Sequence, residues 1–88
     1  MAEKFDLIIG SDIIYSREVA STTVAQSIGV LLSDDGTAIV ANDLIRYSQL
    51  EDAFEEALAK ENLKIVERHT LDDCSGLTKH RLVVIKRI

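Results

Sequence analysis

Two residues of this sequence could act together on a reactive group. Asp12 offers a carboxylate and Tyr15 an aromatic ring, three positions apart at the exit of a short apolar run, Phe5-Asp6-Leu7-Ile8-Ile9, that breaks at Gly10-Ser11. A carboxylate orients donors and cations. An aromatic face adds roughly 0.5–2 kcal/mol to a cation lying on it. Ligands of open parallel sheets bind beyond the carboxyl ends of the strands, which is where Gly10, Ser11 and Asp12 would stand. Taken alone, the pattern fits a plainer reading better: Asp12 caps the following turn and Tyr15 packs at the sheet edge.

The other chemistry-bearing residues are less suggestive. Asn42 and Asp43 end a second apolar run, and they either border the same crevice or form a turn. His69, Asp72, Asp73 and Cys74 match no zinc-ligand spacing, so no metal is expected. His69 and His80 read as strand residues with exposed rings. The Glu-rich face at 51–56 reads as solvated helix surface.

The elements that must position these residues follow from periodicity. Phe5–Ile9 is nearly continuously apolar and β-rich, which predicts a strand covered on both faces, as in a parallel sheet. Ser16 can cap a helix in which Ala20, Val24, Ile28 and Leu31 recur at helical spacing, with Val19 and Leu32 alongside and Ser21, Thr22, Thr23 and Gln26 outward. Ser33-Asp34-Asp35-Gly36 predicts a turn, with Gly36 free to take positive φ. Thr37–Ala41 is a second buried strand. Ser48 and Glu51 form a capping-box pattern at the start of a helix over Ser48–Asn62, with Leu50, Phe54, Ala57 and Leu58 as its stripe. Glu56 and Lys60 are spaced to pair along it, and Asn62 stops it. Leu63–Thr70 alternates in part, with Leu63, Ile65 and Glu67 on one face, as expected near a sheet edge. Leu71–Lys79 is a polar connection, and Leu82-Val83-Val84-Ile85 is a last, fully buried strand. The order is strand, helix, strand, helix, strand, strand. Helical crossovers make the first three strands parallel, and the short final link makes the last antiparallel.

Composition narrows the function classes. The 88 residues form one domain at most, so 1–88 is read as a single, partial domain. A net charge of −5 argues against a nucleic-acid partner, which wants a basic face. Cys74 is the only cysteine, which excludes an internal disulfide and suggests a reducing compartment. The start, Met1-Ala2-Glu3-Lys4, carries no secretory h-region. No apolar run approaches the roughly 18 residues of a membrane span. A cytoplasmic location is expected, with the nucleus as the other possibility and no membrane partner.

A strand with two covered faces at the very start of a chain leaves one edge and one apolar surface in search of a partner. This suggests the second half of a larger sheet. The segment Gly10-Ser11-Asp12-Ile13-Ile14-Tyr15 resembles the Asp-x-x-Tyr motif after the fourth strand of the seven-β-strand protein-lysine methyltransferases. Leu31-Leu32-Ser33-Asp34-Asp35-Gly36-Thr37-Ala38-Ile39-Val40 is similar to the helix–turn–fifth-strand segment of class I S-adenosylmethionine-dependent methyltransferases. The two final strands resemble that fold's terminal hairpin, whose last strand is inserted antiparallel.

The resemblance spans the whole chain but only the second half of the family's domain. It implies an α/β fold that is half of a Rossmann-like methyltransferase sheet (β-α-β-α-β-β). By the same resemblance, Gly10 and Ser11 pass the methionine part of S-adenosylmethionine. Asp12 holds an incoming lysine amine of a protein substrate, and Tyr15 walls the acceptor channel. A carboxylate near an amine favours the ammonium form, whereas a neutral amine must attack the methyl group, so Asp12 would orient rather than act as base. The family's glycine-rich cofactor motif would precede Met1, and the glycines at 10, 29, 36 and 76 do not replace it. The chain is therefore expected to be a fragment or truncated form, inactive alone. The alternative is a non-enzymatic α/β module that pairs through its first strand with a partner or a second copy.

Overall fold

The computed structural model describes residues 3–11, 13, 14, 16, 19–72 and 79–88. The first apolar run forms strand β1 (Phe5–Ser11). A helical segment follows, wound as a π-helix over Val19–Val24 and as α1 over Ala25–Leu31. Then come β2 (Leu32–Asp43), a short helix α2 (Leu44–Ser48) and α3 (Glu51–Lys60). Strands β3 (Leu63–Asp72) and β4 (Lys79–Arg87) close the chain.

The four strands make one sheet in the order β1-β2-β4-β3. Strand β1 runs parallel to β2, and β4 lies antiparallel between β2 and β3. The last strand of the chain is therefore inserted, and β1 and β3 are the edges. This is the expected α/β order, with the first three strands running in one direction.

Among the described residues, only one face of the sheet is covered. Ala38 and Val40 of β2, Val83 and Ile85 of β4, and Leu63 of β3 are buried in a single core with Ala25 and Ile28 of α1 and Phe54, Ala57 and Leu58 of α3. The opposite face carries Ile39, Ala41, Leu82 and Val84, all partly exposed. Leu7 and Ile9 register with Thr37 and Ile39 on that open side, and Ile9 is 71% exposed. The expectation of strands buried on both faces is corrected: β1 and β4 alternate because both main helices pack on the same side. The free edge foreseen for β1 is present.

Two irregularities replace expected features. Phe5 pairs with Leu32 and Leu7 with Thr37, so Ser33–Gly36 loops out opposite Asp6 as part of β2 rather than as a separate turn. The Ser33 hydroxyl donates to Asp6 Oδ1 at 2.7 Å across this bulge. Gly36 does not take positive φ. It is needed for closeness, since a Cβ there would lie 2.8 Å from both Leu32 Cδ1 and Ser33 Oγ and 3.1 Å from the Phe5 carbonyl oxygen. In β3 the register shifts between Ile65 and Glu67. Val66 is the extra residue, so Glu67 moves to the open face opposite Val84 and Arg68 turns towards the helices.

Helix α3 also differs from the capping-box expectation. Its N-cap is Leu50, with no side-chain cap. The Ser48 hydroxyl instead donates back to the Ile45 carbonyl at 3.0 Å, closing α2. Asp43 caps α2 by accepting from the Arg46 N–H at 3.2 Å. Glu56 and Lys60 stay exposed and do not pair. Asn62, at φ 59°, ends the helix as expected. No helix among the described residues is long and apolar enough to cross a membrane.

Candidate functional site

The carboxyl ends of β1 and β2 lie side by side, with Gly10 opposite Val40 and exposed Ser11 opposite Ala41. Asp12 and Tyr15 lie outside the described residues, as do Asp73 and Cys74. The residues between Asp12 and Tyr15 show how the segment is held. Ile14 is buried at 1% exposure, and its N–H donates to Asn42 Oδ1 at 3.1 Å. This bond joins residues 28 positions apart and ties the exit of β1 to the end of β2. Ile13 folds back over β1, and a Cβ on Gly10 would lie 2.5 Å from Ile13 Cδ1. The absence of a side chain at Gly10 thus leaves room for the Ile13 side chain.

Asn42 is the polar residue that the sequence left undecided, and its place follows from period two. Ala38 and Val40 point into the core, so position 42 does too. Arg81 sits directly opposite Asn42 on β4, one inward step beyond Val83 and Ile85. Extending the alternation of both strands by one step would have found the pair. Tyr47 of α2 is fully buried, with its ring edge-to-face on Phe54 at a centroid separation of 6.2 Å. Asn42 Nδ2, Tyr47 Oη and Arg81 Nε are all buried without a hydrogen-bond partner among the described residues. Burial foremost, and then the Glu51 carboxylate, push the Tyr47 phenol well above its ordinary pKa, while Arg68 and Arg81 oppose the shift. The hydroxyl stays protonated at neutral pH.

Beside this group, the register shift in β3 brings Arg68 to helix α3. Its Nε lies 3.2 Å from Glu51 Oε1, and its Nη2 pairs with Glu55. Glu51 and Glu55 are therefore partners of a strand residue rather than a purely solvated face. His69 is exposed, with Nε2 3.3 Å from Glu67 Oε1, whereas His80 is half-buried rather than exposed. No group of metal-ligating side chains is found among the described residues.

The described residues do not by themselves fit S-adenosylmethionine. An apolar groove of about 230 Å³ runs beside β1, lined by Ile8, Ile13, Val24, Ile28 and Leu31, with Thr23 and Ser27 at its rim. It offers no carboxylate for a ribose and no cradle of backbone amides. Gly10 and Ser11 supply one border of such a site at most.

No protein-family model matches this chain, and no curated protein sequence does. Solved structures do match its fold. N-methyltransferase NodS from Bradyrhizobium japonicum WM9 superposes at TM-score 0.69 with 20% identity, over 99% of this chain and 53% of that one. Its complex with S-adenosyl-L-homocysteine gives TM-score 0.69 at 19% identity, over 99% and 48% of the two chains. A ribosomal protein L11 methylase from Lactobacillus delbrueckii subsp. bulgaricus gives 0.64 at 21%, over 97% and 37%. The fibrillarin pre-rRNA processing protein of Methanococcus jannaschii gives 0.64 at 18%, over 97% and 37%. The chain has the Rossmann-like fold of these methyltransferases and spans about half of their length or less.

Proposed function

We propose that this chain is the acceptor-side half of a class I S-adenosylmethionine-dependent methyltransferase domain, acting on protein lysine when a cofactor-binding half completes it. The observation that carries the reading is the sheet order β1-β2-β4-β3 with its last strand inserted antiparallel, matched over nearly the whole chain by methyltransferases. The edge of β1 is open where a further strand would pair, and the neighbours extend well beyond the matched part. In this reading Gly10 and Ser11 border the cofactor, Asp12 orients the lysine amine and Tyr15 walls its channel. Asn42 holds the acceptor segment through the Ile14 amide. The matched methyltransferases are named for different acceptors, so the lysine assignment rests on the Asp-x-x-Tyr resemblance alone.

Calorimetric titration of S-adenosylmethionine tests the division into halves. The chain alone should give no heat of binding, and micromolar affinity would refute the reading. Mixed with a cofactor-binding half, it should place the methyl label on lysine by mass spectrometry. Label on nucleic acid instead would remove the lysine assignment.

A second reading is favoured by the exposure of Phe5, Leu7 and Ile9 on the unpaired edge strand. Here the chain is a non-enzymatic module that pairs through β1 with a second copy or a partner strand. Sedimentation at low micromolar concentration separates the two, since a compact monomer counts against self-pairing.

A further inference from the structure

Strand β1 and helix α1 together border one uncovered side of the molecule. Among the described strands β1 has no neighbour on its outer edge, and its Phe5, Leu7 and Ile9 are exposed. On the helix-covered face, the same edge borders the groove of about 230 Å³ between Ile8, Ile13 and α1. Along α1 this groove continues into a more open hollow of about 410 Å³, which Thr23, Ser27 and Leu31 share with Gln26 and Val30. Glu61, just past α3, packs at Gly29 on the opposite side of the helix, so α1 is flanked there and open here. No charged side chain among the described residues lines either hollow. That matters on a chain of net charge −5, because two copies repel unless their contact is free of like charges. Asp6 is the one charged residue of β1, and its carboxylate accepts from the Ser33 hydroxyl.

We propose that two copies of this chain join along β1, antiparallel about Ile8, with the exposed stripe of each α1 closing the groove of the other. The proposal rests on the reading in which β1 pairs with a second copy, and adds the register and the helix contact. Two identical edges related by a two-fold axis pair antiparallel, with the axis perpendicular to the sheet, so both copies carry their helices on the same side. Centring on Ile8 overlaps the whole of Phe5–Ser11. It sets Leu7 opposite Ile9 of the other copy on the open face and Asp6 opposite Gly10, whereas centring on Asp6 would oppose two carboxylates. Helix α1 crosses from β1 to β2 over the covered face, so two strand spacings, about 10 Å, separate it from its counterpart. Helices pack at that distance, and Thr23 and Ser27 are small enough to allow it. A cofactor-binding half would claim the same edge, so the two associations compete.

Sedimentation equilibrium from micromolar to millimolar concentration, with NMR on a mixture of labelled and unlabelled chain, tests the arrangement. A discrete dimer should form and tighten with added salt, which screens the like net charges. Isotope-filtered contacts should join Leu7 to Ile9 and one α1 stripe to the other. Leu7→Lys puts a cation on the edge strand and should abolish the dimer. Val30→Glu sets like charges across the helix contact and should weaken it about tenfold or more. Ile45→Lys, on α2, makes the same charge change as Leu7→Lys away from the contact and should leave the dimer unchanged. All three positions are exposed, so the monomer fold tolerates the substitutions, and circular dichroism checks this. A monomer throughout, or a dimer indifferent to Leu7→Lys, refutes self-pairing through β1 and the proposal with it. A dimer that Leu7→Lys abolishes but Val30→Glu does not weaken, or one without the Leu7–Ile9 contact, refutes the proposal alone. Loss of the dimer with Ile45→Lys would place the contact elsewhere and refute it too.

Discussion

Removing one oxygen atom from Tyr47 should change stability in two separable ways. The hydroxyl is fully buried and has no hydrogen-bond partner among the described residues, while its ring keeps the edge-to-face contact with Phe54. An orphaned buried hydroxyl costs about 1–3 kcal/mol, so Tyr47→Phe should be more stable than the parent at pH 7 by about 1 kcal/mol. The second effect appears in alkali. Burial, reinforced by Glu51, raises the folded phenol above its ordinary value. The unfolded phenol ionises near pH 10, so above that pH the folded state holds one more proton than the unfolded state. Stability then falls as pH rises, by about 1.4 kcal/mol per unit, until the folded pKa is reached. At about pH 11.5 the parent has lost about 2 kcal/mol from this source, and the phenylalanine variant has lost none. Urea unfolding of both proteins, followed by far-ultraviolet circular dichroism from pH 7 upward, gives the difference directly. Other groups titrate in both and cancel. The gap should widen from about 1 to about 3 kcal/mol. A gap that stays constant with pH, or a variant less stable than the parent at pH 7, refutes the placement of this hydroxyl.

Three further perturbations probe the joints of the fold. Asn42→Ala leaves the Ile14 N–H buried and unpaired, which should cost about 1–3 kcal/mol and accelerate hydrogen exchange at Ile14 well beyond the global change. Arg87 donates from Nη2 to the Gly29 carbonyl at 2.8 Å and to the Leu32 carbonyl, closing the carboxyl end of α1. Arg87→Met should lower stability by about 2–3 kcal/mol in urea unfolding, because bonds from a charged donor to helix-terminal carbonyls are lost together. Gly36→Ala must push against the Phe5 backbone as well as two side chains, and a loss of about 1–3 kcal/mol is expected in thermal unfolding.

What could be read from the sequence is what local pattern encodes. The apolar runs at Phe5–Ile9, Thr37–Ala41 and Leu82–Ile85 place three strands, and the stripe Leu50, Phe54, Ala57 and Leu58 places α3. The short link before Arg81 gives the final antiparallel strand. Sidedness was not legible, because a run such as Leu-Val-Val-Ile has the same composition whether one or both faces are covered. Only packing decides, and here Val83 and Ile85 are buried while Leu82 and Val84 are not. The Val66 register shift was also hidden, since one residue inserted against a partner strand leaves no local mark. It nevertheless sends Arg68 to Glu51 and Glu55. Ser48 and Glu51 matched a capping box, but the tight end of α2 claimed the serine first. At the site, Asn42 was visible as a polar residue at a strand end. Its buried bond to Ile14 spans the sheet and is a property of tertiary register.

These features change how the pair Asp12 and Tyr15 must be considered. A site built on one strand exit is only as precise as the shell that holds it. Here that shell is physical: Ile13 packs over Gly10, Ile14 is buried, and Asn42 grips the backbone from the neighbouring strand. These constraints hold Ile13 and Ile14 against the described part of the chain itself. The open edge of β1 and the uncovered face with Leu7 and Ile9 are the opposite case, since their apolar area remains in water until another element arrives. The two halves of the proposed function therefore differ in kind. In that reading the hold on Ile13 and Ile14 is intrinsic to this sequence, whereas cofactor binding would need surface that the described residues leave unpaired. A completing half should accordingly raise the stability of β1 far more than that of the Ile14–Asn42 joint. Hydrogen exchange at Leu7 and Ile9 against Ile14, measured with and without such a half, distinguishes them: uniform protection across all three residues would contradict a preformed acceptor side.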